Sequence, residues 1–121
     1  MNITESQFGD AVILAPVGRV DQTSAATFQS ALMEVVGKRG NAVVIDFAEI
    51  PYISSVGLRA LMIAAKEGKK SNVPLAVTGL SPQVNEVFEI SRFNFVVRIF
   101  DTVEAALTEL SETAAAAYAA R

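Results

Sequence analysis

Two kinds of apolar segment alternate along the chain, and this alternation constrains the fold more than any other feature. Short runs such as Ala42–Phe47 are rich in β-branched residues, which is typical of strands buried on both faces of a sheet. Longer segments such as Thr23–Val36 repeat their apolar residues every three or four positions, which is typical of helices with one buried face. Repeated strand–helix–strand units pack by right-handed crossovers into a mainly parallel sheet. The sequence therefore predicts an α/β fold.

The predicted order of elements is strand, strand, helix, and then three strand–helix pairs. The turn candidate Phe8–Asp10 is short enough to make the first two strands an antiparallel pair. The remaining strands are predicted at residues 42–47, 73–78 and 95–100, and the four helices at residues 23–36, from Ser54 and Ser55 to about Gly68, from Ser81 as N-cap with Pro82 as first helical residue, and from Asp101 or Thr102 to about Leu110. We thus expect a single domain with a mixed, mainly parallel sheet and four helices.

The ends of the helices and of the domain follow from glycine and alanine. The first helix is expected to end between Gly37 and Gly40, with Lys38 and Arg39 near its C-terminus, where the helix dipole favours cations. The alanine-rich tail is predicted to extend the fourth helix, because alanine is the best helix former. In a chain of 121 residues we therefore expect one domain at residues 1–112, followed by a helical extension at residues 113–121.

The residue types that the chain lacks exclude several classes of function. It contains no Cys, which excludes thiol catalysis, disulfides and thiolate metal sites, and no His, which excludes Ser–His hydrolase chemistry and histidine metal ligands. It also has no phosphate-binding loop of the Gly-x-x-x-x-Gly-Lys type. We therefore expect no cofactor and no metal. A net charge of −3, with compact basic clusters only at Lys38–Arg39 and Lys66–Lys70, argues against a nucleic-acid partner.

The apolar runs and the N-terminus bear on the location of the protein. The longest apolar run, Ala11–Val17, is far shorter than the roughly 20 residues of a transmembrane helix. Met1–Glu5 lacks the basic start and the apolar stretch of a signal peptide. The expectation is a cytoplasmic protein with no direct membrane insertion.

The most informative segment is Pro51–Arg59, in which Ser54 and Ser55 lie where an irregular stretch enters a helix. A serine hydroxyl at this point can accept a hydrogen bond from a free backbone N–H of the first turn. The same N–H groups and the positive end of the helix dipole would also stabilise a phosphate on either serine. Phosphorylation adds about −1.5 to −2 charge, which opposes burial by a partner. These residues alone leave both a helix cap and a modification site open.

Four motifs occur in an order that resembles the STAS domain family. They are Gly18–Asp21 (GRVD), Val43–Phe47 (VVIDF), Ile53–Arg59 (ISSVGLR) and Val77–Pro82 (VTGLSP). The resemblance extends from the first strand to about Leu110, and the serine–glycine–leucine segment is its most specific part. It implies the STAS fold and the activity of a bacterial anti-sigma factor antagonist.

The resemblance also implies roles for individual residues. STAS proteins that antagonise anti-sigma factors carry an Asp–Ser pair before the Gly-Leu, and the serine of that pair is phosphorylated. Aligning the chain on its own Gly-Leu places Ser55 at the phosphorylated position and Ser54 where those proteins carry Asp. The implied switch loop and partner-binding surface consists of Asp21, Ser54, Val56, Gly57 and Arg59, with Asp46 as structural support of the loop.

Several residues around the two serines also have purely structural interpretations. Asp21 could cap a turn or the following helix, and Asp46 could hydrogen-bond the backbone at the end of its strand. Arg59 lies one helical turn after Ser55 on the same face, and it could simply be solvated. Tyr52 and Ile53 are interpreted as packing residues.

The family resemblance implies a function in partner switching. The unphosphorylated chain would bind an ATP-dependent serine kinase that doubles as an anti-sigma factor, and would so free the sigma factor. Phosphorylation of Ser55 would release the chain, and a serine phosphatase of the metal-dependent type would restore it. On this interpretation the chain is a substrate and a binding module, not an enzyme.

Two alternatives remain open from the sequence. The chain could be a non-phosphorylated STAS subunit or scaffold of a larger signalling or lipid-transport complex, which Ser54 in place of Asp favours. It could also be an enzyme that uses Asp21 and Asp46 as paired acids, because two carboxyl groups with different pKa values can perform acid–base chemistry.

Overall fold

In the computed structural model, which describes residues 1–38 and 42–121, five strands form one mixed sheet. The strands are β1 (Asn2–Phe8), β2 (Ala11–Val17), β3 (Ala42–Asp46), β4 (Leu75–Thr78) and β5 (Arg98–Phe100). β1 and β2 are antiparallel, and β2 to β5 are parallel neighbours in chain order. The carboxyl ends of the parallel strands therefore lie along one edge of the sheet, where loops from successive strands meet.

Three helices cover one face of the sheet and two cover the other. The first group is α1 (Ala25–Val36), α2 (Ser55–Lys70) and α3 (Pro82–Ile90), and the second is α4 (Val103–Leu110) and α5 (Glu112–Ala119). Because the three crossovers between parallel strands advance in one direction across the sheet, their common right-handedness places α1, α2 and α3 on the same face.

The hydrophobic core consists of two clusters because side chains of a strand point alternately to the two faces. In β3, Val43 and Ile45 belong to the cluster under α1 to α3, whereas Val44 belongs to the cluster under α4 and α5. All three side chains are fully buried. The larger cluster also contains a row of phenylalanine rings in contact with one another, Phe28, Phe47, Phe88 and Phe93, with centroids 5.3–6.3 Å apart.

The structure confirms the predicted class, the antiparallel N-terminal pair and the burial of β3 on both faces. Ser81 caps α3, since its Oγ accepts a hydrogen bond from the Val84 N–H at 3.2 Å, and Pro82 is the first helical residue, as predicted. α1 begins at Ala25 rather than at Thr23, because a turn precedes it in which Asp21 O accepts the N–H of Ala25 at 2.8 Å.

The strand predicted at residues 95–100 is shorter in the structure. Residues Phe93–Phe95 form a 3₁₀ turn, and β5 begins only at Arg98. The turn places Phe93 in the core beside Phe88, and this burial outweighs the β propensity of the sequence that follows.

The prediction that the alanine-rich tail extends the fourth helix is wrong, and the structure has five α-helices in its described part rather than four. Ser111 is extended (φ −162°, ψ 109°), so it ends α4, and its Oγ caps α5 by accepting the Ala114 N–H at 3.1 Å. The reversal lets Ala114 enter the core and brings the Tyr118 ring to 5.1 Å from that of Phe8. The division of the chain at residue 112 stays a prediction.

The predicted end of the first helix lies partly outside the described residues. α1 ends at Val36 with Gly37 as its C-cap, whereas Arg39 and Gly40 are not described. The second helix passes through Gly68 and ends at Lys70. None of the helices in the described part of the chain is long and apolar enough to span a bilayer.

We expect Tyr118→Ala to lower the free energy of unfolding by about 1–2 kcal/mol, because it removes the edge-to-face contact with Phe8 that holds α5 on the sheet. Urea denaturation followed by far-ultraviolet circular dichroism would measure this change. Tyr118→Phe is the matched control, since it keeps the ring and should change stability by less than about 0.5 kcal/mol. An unchanged midpoint for Tyr118→Ala would contradict the packing of α5 against β1.

Candidate functional site

The loops that leave β2 and β3 are joined at the carboxyl edge of the parallel strands. Val20 and Ile53 form an isolated parallel bridge between the two loops. The Val20 N–H donates to Tyr52 O at 2.9 Å, and the Ser54 N–H donates to Val20 O at 2.8 Å. Both bridge side chains are buried. The bridge therefore ties the start of the Ser54–Ser55 segment to the loop that carries Asp21.

Gly57 allows the first turn of α2 to lie directly on this bridge. It is buried, and a Cβ atom at this position would lie 2.6 Å from Val20 Cγ1 and 2.7 Å from Ile53 Cγ1. Contacts this short do not occur between real carbon atoms, so any larger residue would push the helix and the bridge apart. The small size of Gly57, rather than an unusual backbone conformation, is what the site requires.

The two adjacent serines have different environments. Ser54 is the N-cap of α2, with extended backbone (φ −87°, ψ 172°), and its Oγ accepts a hydrogen bond from the Gly57 N–H at 3.2 Å. Ser55 is the first residue of the helix and is exposed, whereas Ser54 is half-buried. The capping function thus belongs to Ser54, and the hydroxyl of Ser55 lies at the surface.

Asp21 directly follows the bridge residue Val20, and its carboxylate is engaged within its own turn. Oδ1 accepts hydrogen bonds from Thr23 Oγ1 at 2.7 Å and from Thr23 N at 3.0 Å, and Oδ2 lies 3.7 Å from Arg19 Nε. These hydrogen bonds, that from the Thr23 side chain above all, hold the pKa of Asp21 below its ordinary value, and Arg19 adds a smaller effect in the same direction.

Asp46 acts where β3 ends and the loop to the serines begins. Its Oδ1 accepts a hydrogen bond from the Ala48 N–H at 3.0 Å. Gly79, with φ of 69°, approaches from the end of β4, and a Cβ atom there would lie 3.1 Å from this Oδ1. The carboxylate of Asp46 therefore stabilises the turn that starts the loop, several residues before Ser55.

The surface around Ser55 combines apolar and cationic side chains. Val56 and Tyr52 are 42% and 40% exposed, and Arg59, one turn further along α2, is also exposed. The guanidinium carbon of Arg19 lies 4.3 Å from the centroid of the Tyr52 ring. Ile53 is buried as expected, but Tyr52 is a surface residue rather than the packing residue that the sequence indicated.

Arg19 and Tyr52 are the residues that sequence reasoning missed. They are distant along the chain, and only the bridge between the two loops brings them together as a cation–π pair. The one available signal was the inclusion of Arg19 in the GRVD motif.

The structure offers no support for a pair of catalytic acids. Asp21 and Asp46 each bind the backbone of their own turn, and the pKa of Asp21 is lowered, whereas a general acid needs a raised pKa. Over residues 1–38 and 42–121, no group of three or more Asp and Glu side chains is placed to hold a metal ion.

Comparisons with known proteins agree with this architecture. The family model described as STAS domain matches residues 2–106. BtrV of Bordetella bronchiseptica, named as an anti-sigma factor antagonist, is 33% identical over 106 residues, which cover 88% of this chain and 91% of BtrV.

Solved structures show the same fold at lower identity. An anti-sigma factor antagonist from Mycobacterium paratuberculosis has a TM-score of 0.83 at 20% identity, covering 92% of this chain and 94% of that one. SpoIIAA of Bacillus in its phosphorylated form has a TM-score of 0.67 at 14% identity, covering 89% and 98%.

We expect Gly57→Ala to destabilise the protein by about 1–3 kcal/mol, because the added methyl group overlaps Val20 and Ile53. Replacing glycine by alanine inside a helix is otherwise stabilising by about 1 kcal/mol, so the sign of the change is diagnostic. Denaturant unfolding would measure it. The same substitution in a Val20→Ala background should be less destabilising, because Val20 Cγ1 is absent there. A stabilised Gly57→Ala variant would contradict the close approach.

The pKa of Asp21 should lie below the ordinary value of about 3.9, and Thr23→Val should raise it by removing the hydroxyl donor. Because folding lowers this pKa, the contribution to stability is present above the unfolded-state value and is lost as the pH falls through the folded-state value. Carbon-13 NMR titration of the carboxyl group would report both pKa values. Thr23→Ser keeps the hydroxyl and should leave the pKa low; an equal rise in both variants would show that the hydroxyl is not the main cause.

Proposed function

Because the chain belongs to the STAS domain family, we propose that it is an anti-sigma factor antagonist that acts by partner switching at Ser55. The unphosphorylated form binds an anti-sigma factor that is also a serine kinase, and the bound kinase no longer holds its sigma factor. Phosphorylation of Ser55 releases the chain, and a metal-dependent serine phosphatase regenerates it. The proposed mechanism operates in the cytoplasm.

The observation that carries this proposal is the division of roles between the two serines. A kinase must reach the hydroxyl that it modifies, and the modification must leave the fold intact. Ser55 is exposed at the first position of α2, while the cap that the helix needs is provided by Ser54. Modification of Ser55 would therefore remove no hydrogen bond of the Ser54 cap.

The electrostatics of the helix terminus explain how one phosphate can change binding without unfolding the protein. The dipole of the 16-residue helix α2 favours negative charge at its N-terminus, so the folded state tolerates the phosphate. A partner that covers Val56 and Tyr52 would have to remove the same phosphate from water. Burying a charge without a compensating partner is strongly unfavourable, so the complex is weakened far more than the fold.

Ser54 in place of the Asp found in phosphorylated relatives is compatible with the switch. Serine and aspartate are about equally good N-caps, and the Ser54 hydrogen bond to Gly57 preserves the helix start. The proposed kinase must then recognise Ser55 without a neighbouring carboxylate. We assign the partner-binding surface to Ser54, Val56, Gly57 and Arg59 with Asp21 alongside, and extend it to Arg19 and Tyr52.

We infer further that the chain is a substrate and binding module, not a catalyst, since Asp21 and Asp46 have structural roles in their own turns. The second candidate is a non-phosphorylated STAS subunit or scaffold of a larger complex. The absence of a carboxylate at position 54 favours it, and it differs from the switch in one respect: charge at Ser55 would not affect assembly.

Ser55→Asp should weaken binding to the main partner by about a hundredfold or more, because it leaves a buried, uncompensated charge in the complex. The measurement is a pull-down from lysate of the native host with wild type, Ser55→Ala and Ser55→Asp as baits, followed by titration of the purified partner. Wild type and Ser55→Ala should capture a kinase-like protein that phosphorylates wild type but not Ser55→Ala in the presence of ATP.

Thr113→Asp is the matched control for charge. It adds the same carboxylate in the first turn of α5, which lies beside Gly9 at the opposite end of β2 from the loop that carries Arg19. This variant should bind like wild type, and Ser55→Asp should keep the thermal midpoint of the unmodified fold. Equal recovery of one partner by all four baits would overturn the switch and favour the constitutive subunit.

A further inference from the structure

A second apolar surface lies at the opposite end of the molecule from Ser55. Ile90, Phe95 and Val96 are 76%, 82% and 43% exposed, although they occur within seven consecutive residues. Large apolar side chains exposed singly are common, but a local cluster of them next to a cavity indicates an interaction surface. The surface on Ser55 does not account for this cluster, because α2 separates the two by 16 residues, or about 24 Å.

The cavity beside this cluster, which we term the Val96 groove, has a volume of about 370 Å³. Its walls are the C-terminal part of α2, the segment that leads into β4, and the segment that leads into β5. The lining residues include Ala65, Gly68, Lys69, Val73, Leu75 and Val96. The groove is thus mainly apolar and opens at the amino ends of β4 and β5.

The backbone holds Phe95 in its exposed position. Arg92 adopts a left-handed conformation (φ 57°, ψ 27°), and Phe95 N–H donates to Arg92 O at 3.1 Å within the 3₁₀ turn. Phe93 anchors the same turn in the core, and its carbonyl accepts the N–H of Val96 at 2.8 Å. A turn fixed on both sides presents Phe95 and Val96 to solvent without the entropy cost of ordering a flexible loop on binding.

The charges at the groove indicate which partner fits. Among the described residues that line it, the charged side chains are Lys69 and Arg98, and both are cationic. Lys70 follows on α2, and Arg92 is exposed beside Phe95. A second copy of the chain would bring the same cations against them, whereas a segment with carboxylates would complement them.

We propose that the Val96 groove binds an acidic peptide segment of a second protein partner, with an apolar side chain of that segment seated against Val96 and Phe95 and its carboxylates beside Lys69 and Arg98. A concave site of this size suits a side chain of a peptide better than a flat lipid surface. The chain then has two binding surfaces at opposite ends of α2, and it can keep one partner when phosphorylation of Ser55 releases the other.

The test uses the full chain and two synthetic peptides of about eight residues, one alternating Glu and Leu and the other alternating Lys and Leu. Fluorescence anisotropy measures affinity, and nitrogen-15 NMR maps the site. The Glu-Leu peptide should bind at least about tenfold more tightly than the Lys-Leu peptide and shift the signals of Lys69, Val96 and Arg98. Phe95→Ser should weaken binding at least about tenfold, because an apolar anchor is lost.

Further variants separate this proposal from the function proposed for Ser55. Combined Lys69→Glu and Arg98→Glu should abolish the preference for the acidic peptide, whereas Ser55→Asp should leave the affinity unchanged. Loss of binding in Ser55→Asp, shifts confined to the Ser55 end of α2, or equal affinity for both peptides would each overturn the proposal. So would a wild-type dimer that Phe95→Ser dissociates, or co-sedimentation with anionic phospholipid vesicles that Phe95→Ser abolishes without Glu-Leu peptide binding.

Discussion

The packing of Gly57 against the Val20–Ile53 bridge is the contact on which the site depends. It joins three elements at one point, namely the loop after β2, the loop after β3 and the first turn of α2. Because the bridge residues are also part of the hydrophobic core, the position of Ser55 is coupled to the stability of the whole domain. A surface residue is thereby held in place without needing interactions of its own.

The arrangement separates the residue that stabilises the helix from the residue that is available for modification. Ser54 satisfies a backbone N–H of the first turn, and Ser55 remains exposed one position later. If the same hydroxyl performed both functions, modification would compete with capping and would destabilise α2 by about 1 kcal/mol. With the functions divided, a charge at Ser55 acts on the surface that a partner covers, where the free-energy difference is largest.

Much of the fold was predictable because hydrophobic periodicity reports burial directly. The bounds of β2 and the starts of α2 and α3 follow from the sequence, since β-branched runs, serine caps and Pro82 each act locally. The two errors occurred where local preference and tertiary packing disagree. Residues 93–97 have strand-like composition, but burial of Phe93 requires a turn, and the tail has high helix propensity, but Ser111 interrupts the helix so that Tyr118 can reach Phe8.

By itself, the sequence determined the α/β class, the family resemblance and the segment in which the switch lies, because motifs and periodicity are properties of neighbouring residues. Only the tertiary structure decided which serine caps the helix, that Tyr52 is paired with Arg19 on the surface, and that Phe95 is exposed beside a cationic groove. These features depend on contacts between residues distant in the chain and on which side chains remain in water, and no local pattern of residue types encodes either.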